Sequence, residues 1–185
     1  GASLERADLS GADLREGDLA DASVEKATLA AADLRETAAS GLTLTQATLS
    51  AARLDDGVFT DADFAETDLS EATLDRATLD GVTLRDATLE QARLAEADLT
   101  EATCTNADYT DAVLDRATLT DARVDDATLD GAQLSNATLD GASFRDVTAT
   151  AVTVRDSEAT DVTGGMAAKV RELLALDSPA YIFDA

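Results

Sequence analysis

Apolar residues recur along this chain with a period of five that never changes phase. From Leu4 to Ala159 every fifth residue is apolar, and most of these residues are leucine. Two positions before each of them lies a residue that is usually alanine. The repeating unit therefore reads Ala, then Asp or Thr, then Leu, then two variable residues.

A period of five fits neither the 3.6-residue turn of an α-helix nor the two-residue alternation of a long β-strand. Within one unit, however, Ala-x-Leu places two side chains on one face, which is a very short strand. If the next two residues turn the chain by about a right angle, four units close a square. The pattern predicts an all-β solenoid of about eight coils, on the order of 38 Å long with neighbouring backbones about 4.8 Å apart.

Residues 20 positions apart stack in columns in such a coil. We name each side of the square after the first residue of its column, as the Leu4, Leu9, Leu14 and Leu19 sides. Cys104 falls in the Leu4 column, which predicts a buried and inert thiol. The chain has no second cysteine and no histidine, so Cys104 lacks a partner for catalysis or metal binding.

Units such as Ala7-Asp8-Leu9-Ser10-Gly11 resemble the A(D/N)Lxx motif of the pentapeptide-repeat family, as does Ala97-Asp98-Leu99-Thr100-Glu101. The resemblance covers about residues 1 to 163 and implies a right-handed quadrilateral β-helix. Larger residues replace the small alanine at five positions, where we expect a widened coil or its end: Leu42, Val82, Val147, Val152 and Val162. Some quinolone-resistance members of this family bind type II topoisomerases as DNA mimics, an activity that the resemblance extends to this chain by analogy of fold.

The charge is strongly negative, with 38 Asp and Glu against 14 Lys and Arg and a net charge of -24. This balance argues against direct binding to nucleic acid or to an anionic membrane surface. Lysine occurs only at Lys26 and Lys169, a pattern typical of a halophilic protein from a high-salt cytoplasm, and we expect a cytoplasmic location. The alternative is that the acidic surface imitates DNA.

The basic residues are not spread evenly around the predicted square. Every Arg and Lys of the repeats flanks the Leu4 or the Leu14 column, so two opposite sides carry no positive charge. The Leu19 side is the candidate acidic interaction face, formed by Asp18, Asp21, Asp61, Asp80, Asp98, Glu101, Asp121, Asp140, Glu158 and Asp161. The Leu9 side is a weaker version, with Asp8, Asp68, Glu71, Glu90, Asp108, Asp111 and Asp130.

No constellation in the sequence supports catalysis. Histidine is absent, and no glycine-rich phosphate loop or nucleophile motif is present. Carboxylate pairs such as Asp55-Asp56 and Asp125-Asp126 fall at outward turn positions and are interpreted as solvated charges. We therefore predict that the protein is not an enzyme and uses no cofactor and no metal.

The regular pattern ends at Gly164-Gly165, which divides the chain into a solenoid over residues 1–163 and a C-terminal segment over residues 164–185. In that segment Met166, Val170, Leu173 and Leu174 have helical spacing. We expect a short C-terminal α-helix that caps the last coil, since a solenoid end exposes unpaired backbone. The same helix would alternatively pair two copies into a homodimer.

The sequence thus predicts a non-catalytic structural or protein-interaction solenoid, a rigid acidic rod that scaffolds or binds a protein partner. The alternative function is a DNA-mimicking binder of a type II topoisomerase (gyrase) that inhibits or protects that enzyme.

Overall fold

A computed structural model describes residues 1–164 and residues 181–182. Isolated parallel β-bridges join residues 20 positions apart, from Ser3↔Ser23 to Ser143↔Thr163. Every bridged residue lies directly before an inward residue, so each side of each coil is a very short strand. The two named strands are β1, Val152–Thr153, and β2, Tyr181–Ile182. The bridges confirm the four-sided coil of 20 residues.

Each unit turns at the second residue after the inward residue. This corner residue has positive φ, as at Arg6 (57°) and Arg116 (63°), and the amide of Ala7 donates to the Leu4 carbonyl at 3.0 Å. The φ signs are those of a type II turn. A left-handed conformation costs a non-glycine residue roughly 1–2 kcal/mol, so burial and the backbone ladder must offset this cost at most corners. Ala151 is the first corner without positive φ, and the left-handed conformation returns at Asp156 (52°) and Asp161 (52°).

The inward columns form one continuous core from the second coil onward. Leu34, Leu54 and Leu94 have no exposed surface, and Cys104 is equally buried, as the sequence predicts. The rings of Phe59 and Phe64 pack edge to face with centroids 5.6 Å apart. Near-identical residues therefore stack on one another along the rod, which explains why Leu and Ala suffice for the core.

The two ends of the described solenoid differ. In coil one, the four inward leucines are only partly buried: Leu4, Leu9, Leu14 and Leu19. In coil eight, Val152, Val154 and Val162 are at most 2% exposed. Strand β2 pairs antiparallel with β1 there, with Val152 opposite Ile182 and Thr153 opposite Tyr181. The predicted helix with Met166, Val170, Leu173 and Leu174 lies outside the described residues. Among those that are described, no helix has the length and apolarity to cross a membrane.

Candidate interaction surfaces on the four sides

One backbone amide in each unit is left out of the main-chain hydrogen-bond network. Three amides of each unit donate to carbonyls of a neighbouring coil. They belong to the residue before the inward residue, to the inward residue itself, and to the second residue after it, as in Thr28, Leu29 and Ala31. The amide two residues before it closes the turn. The amide directly after the inward residue finds no backbone acceptor in the described residues. It therefore needs a side-chain acceptor or water.

Aspartate directly before the inward residue supplies that acceptor within its own unit. Asp98 accepts a hydrogen bond from the Thr100 amide at 3.1 Å and another from the Thr100 hydroxyl at 2.6 Å. Such local bonds are the usual way in which Asp stabilises a tight turn. The same local bond is made by Asp8, Asp13, Asp18, Asp33, Asp63, Asp68 and Asp108. The motif position of Asp is thus explained by this one amide.

Aspartate directly after the inward residue caps the same amide in the next coil. Asp55 accepts from the amide of Asp75 at 3.1 Å, and Asp75 accepts from the amide of Ala95 at 2.9 Å. Asp115, Asp125, Asp130 and Asp140 repeat this arrangement. The interpretation of Asp55 and Asp125 as solvated charges is therefore wrong. Asp125 is only 8% exposed, and burial acts to raise its pKa, but bonds from Ser143 and Arg145 leave that pKa lowered.

The ion pairs concentrate on the Leu14 side. Arg15 bonds Asp13 at 2.8 Å, Arg76 bonds Asp56 at 2.7 Å, and both contacts use two guanidinium nitrogens. The remaining pairs of this side are Arg15–Asp33, Arg35–Asp33, Arg53–Asp33, Arg93–Asp75 and Arg116–Glu96. Partners lie two residues back or in an adjacent coil. No salt bridge joins oppositely charged sequence neighbours on this side, namely Arg15 and Glu16, Arg35 and Glu36, and Asp75 and Arg76.

These pairs hold carboxylates of the Leu14 side in their charged form. The hydrogen bond from Arg15 lowers the pKa of Asp13 to about 2, and Arg35 lowers the pKa of Asp33 in the same way. Two clefts of about 340 Å³ each run along this side. Arginine and carboxylate groups line both, so the Leu14 side presents a surface of mixed charge.

The Leu19 side carries all ten predicted carboxylates and no cation. Three of them cap backbone amides: Asp18, Asp98 and Asp140, whose pKa is lowered by bonds from the Thr160 hydroxyl and amide. The other seven make no hydrogen bond and no ion pair within the described residues, and six of the seven are exposed. These free carboxylates are Asp21, Asp61, Asp80, Glu101, Asp121, Glu158 and Asp161.

Glycines make room for several of these free carboxylates at the corner of the Leu19 side. A Cβ at Gly41 would lie 2.7 Å from Oδ1 of Asp21, and one at Gly81 would lie 2.5 Å from Oδ1 of Asp61. Gly141 is crowded in the same way by Asp121. An acid in one coil thus lies over a glycine of the next, where a Cβ would clash with its carboxylate.

The Leu9 side repeats this pattern with fewer free charges. Asp8, Asp68, Asp108 and Asp130 cap amides, which leaves Glu71, Glu90 and Asp111 free. On the Leu19 side, Val58 is 42% exposed and is the one large apolar side chain exposed in the described part of the chain. The sides are therefore polar surfaces that differ in charge balance rather than in hydrophobicity.

The interior of the described solenoid holds two buried titratable side chains, Cys104 and Tyr109. Burial raises the pKa of the Cys104 thiol to about 11, so it is neutral at physiological pH. Burial likewise raises the pKa of Tyr109, whose hydroxyl lies in the core beside Cys104. Among residues 1–164, no group of three His, Cys, Asp or Glu side chains has the geometry to hold a metal ion.

Solved structures share this architecture. HetL, a pentapeptide repeat protein involved in heterocyst differentiation regulation from the cyanobacterium Nostoc sp. strain PCC 7120, is 29% identical with a TM-score of 0.56. That match covers 87% of this chain and 82% of HetL. Full-length QnrB1, a plasmid-mediated fluoroquinolone resistance protein, is 17% identical with a TM-score of 0.62, over 95% of this chain and 98% of QnrB1. At that identity QnrB1 shows the fold alone. A search of curated proteins finds no match.

A family model for pentapeptide repeats matches eight copies, over residues 1–29, 43–81, 58–94, 77–115 and 110–146. These matches cover well over half of the chain. Proteins of this kind form right-handed quadrilateral β-helices. The chain belongs to the pentapeptide-repeat family.

Proposed function

We propose that this protein is a non-catalytic interaction scaffold, a rigid acidic rod that presents its Leu19 side to a basic surface of a protein partner. The observation that carries the proposal is the set of seven carboxylates on that side that neither cap the backbone nor pair with a cation. Seven of the ten carboxylates on the Leu14 side cap amides or bind arginine, whereas these seven of the Leu19 side need another explanation. Charge complementarity of this kind steers association and selects partners.

The test is comparative affinity capture with two variants of equal net charge. The first variant neutralises free carboxylates of the Leu19 side: Asp80→Asn, Glu101→Gln, Glu158→Gln and Asp161→Asn. The control neutralises free carboxylates elsewhere: Glu16→Gln, Glu36→Gln, Glu71→Gln and Glu90→Gln. We expect the partner to be retained by the wild type and by the control and lost by the Leu19-side variant. Equal loss in both variants would indicate unspecific attraction to net charge and contradict the proposal.

A second candidate function is DNA mimicry directed at a type II topoisomerase such as gyrase, with inhibition or protection of that enzyme. The feature that favours it is the row of carboxylates along a rod on a side without cations. The test is displacement of labelled DNA from purified gyrase by the wild type, by the Leu19-side variant and by the control variant. Displacement by the wild type and the control alone would favour mimicry, and no displacement at all would exclude it.

Salt adaptation is the competing explanation of the acidic surface, and it is compatible with a cytoplasmic location in a high-salt cell. It predicts folding that requires molar salt, while it does not require cations to be absent from two opposite sides. Thermal unfolding at a series of KCl concentrations therefore measures how strongly the fold depends on salt, independently of any partner.

We further propose that Met166, Val170, Leu173 and Leu174 form the stripe of a C-terminal helix that caps the solenoid or joins two copies. Light-scattering masses of the full chain and of a version ending at Gly164 distinguish these roles. A dimeric full chain with a monomeric truncated chain assigns the helix to assembly. Two monomers assign it to capping, provided that the truncated chain loses stability.

A further inference from the structure

One large apolar side chain is exposed on the acidic Leu19 side. Val58 is 42% exposed and lies directly before the inward residue Phe59. Its bridge partners in the two neighbouring coils are Ala38 and Thr78. Both are short side chains, and Ala38 is itself exposed. The methyl groups of Val58 therefore lie at the surface with no long neighbour in their own row.

Val113 occupies the same position of the repeat on the Leu14 side and provides a comparison. Its bridge partners are Arg93 and Gln133, which have long side chains, and Val113 is only half-buried rather than exposed. It also lines a cleft together with Arg93 and Arg116. A valine at this position is thus shielded where its neighbours are long and exposed where they are short.

The short strand does not require valine at residue 58. A β-branched residue favours extended backbone, and threonine supplies that property at the same position of the Leu19 side in Thr78, Thr118 and Thr138. Threonine has nearly the shape of valine but presents a hydroxyl group to water. The exposed methyl groups of Val58 therefore call for an explanation outside the fold.

Carboxylates surround Val58 on this side of the rod. Asp18 and Asp98 lie in its own row, two coils away in either direction, which is about 10 Å. Asp61 follows in the same coil and Asp80 in the next, and within the described residues neither forms a hydrogen bond or an ion pair. An apolar centre with a polar rim is the usual arrangement of a protein interaction hot spot.

The core behind Val58 is tightly packed. The ring of Phe59 has no exposed surface and packs edge to face against Phe64. A Cβ at Gly57 would lie 2.5 Å from Cε2 of Phe59, so the ring lies directly against the backbone before Val58. Bridges to both neighbouring coils hold the same backbone. A partner that binds here therefore loses little affinity to the ordering of this surface.

We propose that Val58 is the apolar contact site of the Leu19 side and binds an apolar side chain that is flanked by lysine or arginine in a protein partner. The partner's apolar side chain packs on Val58 over Ala38, and its flanking cations pair with Asp61 and Asp80. This inference rests on the proposed function, since it specifies which basic segment the acidic side recognises. Charge alone attracts any cation, whereas Val58 selects among basic segments.

The test is an NMR titration of the labelled full-length protein with two synthetic peptides in about 0.15 M KCl. The peptides are acetyl-Lys-Lys-Leu-Lys-Lys-amide and the same peptide with serine in place of leucine. We expect the wild type to bind the leucine peptide at least about threefold more tightly, because only leucine removes the apolar surface of Val58 from water. Val58→Thr should abolish this preference. Val113→Thr, the matched control at the same repeat position, should keep it.

The methyl resonances of Val58 locate the contact, since they should shift with the leucine peptide and much less with the serine peptide. Equal affinity of the wild type for the two peptides overturns the inference, as does a preference that survives in Val58→Thr or disappears in Val113→Thr. In those cases shifts on the Leu19 side with both peptides would leave the proposed function standing. If neither peptide shifts resonances of the Leu19 side, the inference and the proposed function both fail. Amide spectra of the two variants report whether they are folded.

Discussion

The Leu14 and Leu19 sides share one backbone geometry and nearly the same inward residues, yet they carry opposite kinds of surface. On the Leu14 side, seven of ten carboxylates cap amides or bind arginine, as Asp75 does with Ala95 and Arg93. On the Leu19 side, seven of ten carboxylates do neither. Carboxylates that cap amides or bind arginine stabilise the fold, whereas the free carboxylates make no such contact. Only the free carboxylates call for a functional explanation.

The largest expected effect is the difference in stability between a substitution of an inward residue and one of an outward residue on the Leu14 side. Leu94→Asp places a charge at a position with no exposed surface, so we expect a loss of more than about 4 kcal/mol and unfolding of the central coils. Glu96→Lys breaks an exposed contact to Arg116 at 3.1 Å, which should cost about 0–1 kcal/mol. Urea unfolding followed by circular dichroism measures both. Equal tolerance of the two changes would contradict the assigned register.

The next effect compares charge removal on the two sides at low salt. The Leu19-side variant described above should be stabilised by on the order of 1–2 kcal/mol in about 0.02 M KCl, because free like charges repel over a long Debye length. Neutralising Asp13, Asp33, Asp56 and Asp75 to Asn should destabilise the protein instead, since it removes ion pairs. Thermal unfolding at that salt and at about 1 M KCl is the measurement. Changes of the same sign in both variants would remove the distinction between the sides.

A smaller effect tests the stacking of acid over glycine at the Leu19 corner. Gly81→Ala and Gly11→Ala both place a Cβ at positive φ, which should cost about 1 kcal/mol each. Gly81→Ala should cost more, because its Cβ meets Asp61, whereas nothing lies within 4 Å at Gly11. Adding Asp61→Ala should reduce the cost to the level of Gly11→Ala. An unchanged cost in the double variant would show that Asp61 is not responsible.

The smallest effect is the acid sensitivity of one pair on the Leu14 side. Arg15 lowers the pKa of Asp13 to about 2 in the folded protein, below an unfolded value of about 3.9. The depressed folded pKa means that the pair contributes stability above pH 4 and loses it as the pH falls towards 2. Arg15→Met should return the Asp13 pKa towards its ordinary range. Carboxyl NMR titration of both proteins is the measurement, and an unchanged Asp13 pKa would contradict the role of Arg15.

The register, the core and the cation-free sides were predictable because each follows from a strict five-residue period. Leu94 and Cys104 are buried and Arg76 is outward for the same reason: their place in the coil depends only on counting. Because four units make one coil, residues 20 positions apart fall in one column. The two sides without Arg or Lys could therefore be identified from the sequence. No knowledge of side-chain conformation was needed for these features.

The hydrogen-bond roles of the aspartates were not predictable from the pattern alone. The need for a cap arises because one amide per unit has no backbone acceptor, and this becomes apparent only once the ladder is known. Asp55 and Asp75 lie 20 residues apart, a recurrence that would have indicated a contact between coils. The pairing of β2 with β1 had no such signal, since Tyr181–Ile182 lies far outside the repeat and pairs in the opposite direction.

The measurement that tests the central claim most directly is an NMR titration of the labelled protein with hexalysine in about 0.15 M KCl. This probe reports where an unpaired cation is bound without requiring the natural partner. The account predicts that shift changes cluster on the Leu19 side, around Asp21, Asp61, Glu101 and Asp121, with smaller changes on the Leu9 side and few on the Leu14 side. Shift changes spread evenly over all four sides, or strongest on the Leu14 side, would contradict it.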